Sequence, residues 1–124
     1  MQTPHILIVE DELVTRNTLK SIFEAEGYIV LEANNGDEMH QALTAHTINL
    51  VIMDIQLPNV SGLDLIKQIK GDMLLRSIPV LAVTAYAGKG DEERIRDAGA
   101  EGYLAKPVSI GPFMAAVKGL VGPS

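Results

Sequence analysis

The chain has 124 residues, 47% hydrophobic and 21% charged, which suits one globular domain with one core. A net charge of −6, an aromatic content of 4% and the lack of Trp argue against binding to nucleic-acid phosphates or bases. The lack of Cys excludes disulfides and thiolate metal sites, and every apolar run is far shorter than a membrane span.

Met1-Gln2-Thr3-Pro4 has neither a basic region nor an apolar signal core, so a cytoplasmic protein without a membrane partner is expected. His5–Val9 is the first β-type run. Leu19, Ile22 and Phe23 then follow a helical period that Gly27 stops. A short run at 29–31 follows, then the turn signal Asn35-Gly36 and a helix carrying Met39 and Leu43. Residues 50–53 form the third run, and Leu65, Ile66 and Ile69 stripe a helix ending near Gly71. Residues 80–83 form the fourth run, followed by a short charged helix over 91–98 that Gly99 ends. Gly88-Lys89-Gly90 lacks phosphate-loop spacing and reads as a flexible entry to that helix. Gly102–Ala105 is the fifth run. A last helix carries Ile110, Phe113, Met114, Val117 and Val121, with Pro112 acceptable in its first turn and Gly119 and Gly122 weakening its end.

The first, third and fourth runs lack polar alternation, as strands buried on both faces do. Five strands alternating with five helices predict an α/β, flavodoxin-like, doubly wound parallel sheet of order 2-1-3-4-5. No linker, repeat or low-complexity tract divides residues 1–124, so one domain is expected.

Asp11, Asp54, Thr84 and Lys106 follow four of these runs, and Glu10 adjoins the first. Strand ends are where a parallel α/β sheet builds its ligand site. Each residue has a plain alternative. Asp54 could cap a helix, Glu10-Asp11-Glu12 could be a solvated turn with an N-cap, and Thr84 could bond the local backbone. Together they describe a different object. The first and third strands are neighbours in the expected order, so their carboxylates converge and repel. A divalent cation relieves that repulsion, and oxygen ligands without His or Cys favour Mg²⁺. Lys106, held by Pro107, would neutralise a phosphoryl group beside them. The type of peptide bond before Pro107 stays open. His5, His40 and His46 do not make a credible metal set.

Glu10-Asp11, Asp54 with Pro58 and Gly62, Thr84-Ala85 and Lys106-Pro107 together resemble the response-regulator receiver family, from residue 5 to about 121. The resemblance implies that Asp54 accepts a phosphoryl group from the phosphohistidine of a histidine kinase or phosphotransferase. It implies Mg²⁺ held by Asp11, Asp54 and the Gln56 main-chain carbonyl, with Glu10 acting directly or through water. Thr84 and Lys106 would bind phosphoryl oxygens, and Tyr103 would be the switch aromatic. Without the resemblance, Tyr103 reads as a half-buried strand aromatic. Gln56 and Tyr86 match positions that tune dephosphorylation, and bulky Tyr86 is expected to restrict water and slow hydrolysis. Activation would reshape the face of the fourth helix, fifth strand and fifth helix, which would bind a kinase, a phosphotransferase or a second copy. No output domain follows Val121, so direct DNA binding is not expected.

Residues 1–28 resemble the receiver of the anoxic redox control regulators, which are winged-helix transcription factors. From Ser61 on, the chain resembles single-domain cell-division regulators or hybrid-kinase receivers. A natural mosaic or an engineered chimera would explain such a seam, and either parent would supply the same pocket.

Two other classes fit less well. A haloacid dehalogenase-type phosphatase also uses a strand-end Asp, but normally has a second Asp two residues later, where this chain has Gln56. A flavodoxin-like cofactor binder needs a phosphate loop after the first strand, where Glu10-Asp11-Glu12 would repel an anion.

Overall fold

The computed structural model describes residues 3–58, 60–85 and 89–121. Five strands alternate with five helices: β1 His5–Val9, α1 Leu13–Ala25, β2 Ile29–Ala33, α2 Gly36–Ala45, β3 Leu50–Asp54, α3 Gly62–Gly71, β4 Val80–Thr84, α4 Lys89–Ala98, β5 Gly102–Ala105 and α5 Ile110–Val121. All pairings are parallel and the sheet order is β2-β1-β3-β4-β5, as expected. The chain order reverses between β1 and β3, which leaves a crevice at their carboxyl ends.

Strand alternation divides the core in two. Leu7, Val9, Val51, Met53, Val80 and Ala82 pack one face against Met39, Leu65, Ile66, Ile69 and Ile95 from α2, α3 and α4. Ile6, Ile8, Leu50, Ile52, Leu81 and Val83 pack the other against Leu19, Phe23, Phe113 and Val117 from α1 and α5. The three central strands are therefore apolar on both sides, which is why their sequences show no polar alternation.

Several boundaries differ from expectation. β2 continues through Glu32 to Ala33, because this edge strand leaves Glu32 exposed to pair with Arg16 and Lys20 on α1. Asn35 is the N-cap of α2 rather than part of a turn, its side chain accepting from the Glu38 amide at 2.9 Å. α4 already includes Lys89 and Gly90, so these two are helical rather than a flexible entry, while Gly88 and Gly122 lie outside the described residues. Gly27 stops α1 at φ +89°, where a side chain would be strained. Pro112 sits in the first turn of α5, and the Lys106-Pro107 peptide is cis.

Candidate phosphoryl-acceptor site

Asp54 and Thr84 are the last residues of β3 and β4, and Glu10 directly follows β1. All three are buried, with relative exposures of 3%, 1% and 2%, in a protein whose other buried residues are almost wholly apolar. Carboxylates are rarely buried without partners. Here the partner is Lys106, just past β5, whose Nζ donates to Glu10 Oε1 at 2.9 Å and lies 3.5 Å from Asp54 Oδ1. Asp54 Oδ1 also accepts the Gln56 amide at 3.0 Å. Asp11 is exposed at the mouth, and one carboxylate oxygen each from Glu10, Asp11 and Asp54 lie within 4.8 Å of one another.

Burial, and then the hydrogen bond and charge of Asp54, push the Glu10 carboxyl up to about 7, although Lys106 works the other way. Burial alone would lower the Lys106 ammonium, but the Glu10 hydrogen bond and the Asp54 charge outweigh it and hold it above the usual lysine range. Among the described residues Lys106 is the cation paired with Glu10 and Asp54, and Asp11 adds a third carboxylate beside them. An all-oxygen donor set with excess negative charge fits a small hard divalent ion, so the side chains present suit Mg²⁺.

The loop after β3 is shaped by Gly62. A Cβ there would lie 2.3 Å from the Asp54 carbonyl oxygen and 2.7 Å from Ile55 Cα. Its absence lets the Gly62 amide reach the Ile55 carbonyl at 3.0 Å, and Ser61 caps α3 through the Leu63 amide at 3.1 Å. The turn thus folds back under Asp54, with Gln56 bridged to Ser61.

Thr84 does not face the acids alone. Its hydroxyl oxygen accepts from the Gln56 side-chain amide, and Gln56 Oε1 accepts the Ala85 amide at 3.0 Å. Tyr103, on β5 opposite Ala82, is half-buried against the α2–α4 core, as its plain reading predicts. Tyr86 lies outside the described residues.

Two contributors escape a sequence reading. The Gln56 side chain spans 28 residues to Thr84, a pairing no local pattern reports. Arg16 donates Nη1 to the Glu10 main-chain carbonyl at 3.2 Å and to Asn34, while its Nε lies 3.1 Å from Glu32 Oε2, an ion pair without hydrogen-bond alignment. It fixes the backbone that carries Glu10 and Asp11, and only the β1–β2 register brings its partners together.

Residues 6–118 match the response regulator receiver domain family. The chain belongs to that family. This receiver is 45% identical over 117 residues to the polar-differentiation response regulator DivK of Brucella anthropi, covering 94% of this chain and 95% of the relative. That likeness runs across residues 29–60, where the two resemblances of the sequence meet. Among solved structures, the signal receiver domain of a Syntrophus aciditrophicus histidine kinase is 33% identical, with a TM-score of 0.88 and coverages of 96% and 90%. The receiver domain of a Pseudomonas aeruginosa sensor histidine kinase, 27% identical, has a TM-score of 0.88 with coverages of 98% and 100%. That protein has a magnesium ion coordinated in its active-site cleft. Membership makes this chain a signalling module of two-component systems rather than a conventional enzyme, in a family whose members meet histidine kinases or phosphotransferases. Among the described residues no helix is long and apolar enough to cross a membrane.

Proposed function

We propose that residues 1–124 act as one receiver unit in a cytoplasmic phosphorelay, in which Asp54 accepts a phosphoryl group in a Mg²⁺-dependent reaction. The observation that carries this reading is the convergence of buried Asp54, buried Glu10 and Lys106 at the switch point of the sheet. The Asp54 carboxylate attacks phosphorus in line, the bond to the donor imidazole nitrogen breaks, and the imidazole leaves with that bonding pair. Glu10, Asp11, Asp54 and the Gln56 main-chain carbonyl would hold Mg²⁺, which would supply charge neutralisation for the transferring group. Lys106 then exchanges part of its contact with Glu10 and Asp54 for a phosphoryl oxygen, and the Thr84 hydroxyl donates to another. The chain contributes positioning and charge, which is most of what phosphoryl transfer asks of a protein. Self-phosphorylation and autodephosphorylation are the only chemistry proposed.

A new charge of about −1.5 to −2 beside Thr84 is a sufficient switch if a neighbour has two positions. Tyr103 is that neighbour in this reading, turning inward as Thr84 moves. The face of α4, β5 and α5 then changes and presents itself to a kinase, a phosphotransferase or a second copy of the chain. No direct contact with nucleic acid or membrane is proposed.

Wild type and Asp54→Ala are incubated with Mg²⁺ and either acetyl phosphate or beryllofluoride, with mass and NMR shifts as readouts. A mass gain or shift that needs both Asp54 and Mg²⁺ is the expected result. Multiple turnover of small phosphomonoesters, or no response to either reagent, would overturn it.

A further inference from the structure

Gln56 engages two groups at the end of β4, the Ala85 N–H and the Thr84 hydroxyl oxygen. Gln56 Oε1 accepts the Ala85 amide at 3.0 Å, and Gln56 Nε2 donates to Thr84 Oγ1. The Ala85 N–H fixes which end of the carboxamide is which, since a reversed amide would set two donors against each other. That N–H has one proton, so it cannot serve Gln56 and a phosphoryl oxygen at full strength together. Thr84 is meanwhile held on the α3–α4 side. It lines a cavity of about 200 Å³ with Ile55, Gln56, Leu63, Arg94 and Ile95.

We infer that the Gln56 carboxamide is an internal competitor for the phosphoryl subsite, a positioning residue that ties the β3–α3 loop to the end of β4 and must let go when Asp54 is modified. This rests on the phosphoacceptor reading above and adds what sets its threshold. Recognition of a phosphoryl group by the Ala85 N–H proceeds against an existing hydrogen bond, while the Gln56–Thr84 bond uses a hydroxyl lone pair and restrains where Thr84 can move. The freed carboxamide has somewhere to go, because the same cavity is bordered by Asp91 and Arg94. Removing the competitor should therefore tighten binding of a phosphoryl analogue, whereas a residue that merely preorganised the Ala85 N–H would weaken binding when removed.

The test uses Gln56→Met, which keeps the volume and loses both hydrogen bonds, with Gln56→Ala as a second variant. In metal-free protein the Ala85 amide should exchange with solvent several-fold faster in both variants than in wild type. Beryllofluoride is then titrated at saturating Mg²⁺ and followed by NMR. Its half-saturation concentration should fall by about threefold to tenfold in the variants, the worth of one hydrogen bond of ordinary net strength. In wild type the Gln56 side-chain NH₂ signals should move on saturation. Unchanged Ala85 exchange, equal or weaker beryllofluoride binding in both variants, or unmoved Gln56 signals in a saturated wild type would overturn the inference while leaving the phosphoacceptor reading intact. If wild type shows no Asp54-dependent response at all, that reading falls and the competitor with it.

Discussion

Lys106 carries the charge balance of the pocket. Its ammonium sits 2.9 Å from Glu10 and 3.5 Å from Asp54, and both acids are buried. Lys106→Met keeps most of the side-chain volume and leaves the two carboxylates facing each other. In metal-free protein this should cost about 1–3 kcal/mol of unfolding free energy, measured by urea titration. Added Mg²⁺ should recover more stability in the variant than in wild type, since the ion would replace the missing cation. At this scale the sequence was readable where a polar residue ends an apolar run, because burial makes Glu10, Asp54 and Thr84 stand out from their neighbours. Gln56 was readable only as a position in the family pattern. Its side chain reaches Thr84 and Ala85 through a conformation that no spacing encodes.

Among the helices, α4 has the least hydrophobic hold. Ile95 and Ala98 are buried, while Glu92, Glu93, Arg94, Arg96 and Asp97 are exposed. α3, of the same length, buries Leu65, Ile66 and Ile69. Local opening follows such differences. Native-state amide exchange should therefore be faster in α4 than in α3 by about tenfold or more, and equal protection would show that charge pairs such as Arg96–Glu92 hold α4 instead. α2 depends on its cap. Asn35→Ala should cost about 1 kcal/mol in thermal or urea unfolding. Asn-Gly signals a turn as well as a cap, and only the helical backbone from Gly36 on separates them. β2 extends two residues beyond its apolar run for a similar reason. Glu32 breaks the apolar pattern, and its partners Arg16 and Lys20 come from a helix whose docking the pattern does not specify.

Across the whole molecule, the sheet separates two cores that share no helix. Phe23 of α1 and Phe113 of α5 meet edge-to-face at 5.2 Å, joining the first and last helices over the centre of the sheet. Phe113→Ala should cost about 3–5 kcal/mol by denaturant titration, while a cost below about 1 kcal/mol would mean that α5 contributes little to the fold. The architecture was legible because apolar runs alternate with helical stripes at short, regular intervals. The contact between Lys106 and Glu10 spans 96 residues of chain. The ribosome therefore releases the acids well before the base that balances them. At ordinary elongation rates, Asp54 precedes Lys106 by roughly 3 to 10 s. During that interval any pairing of β1 with β3 would bring their carboxylates together without their lysine. A divalent cation bound there, as proposed for Mg²⁺, would stand in for Lys106 until the fifth strand is in place.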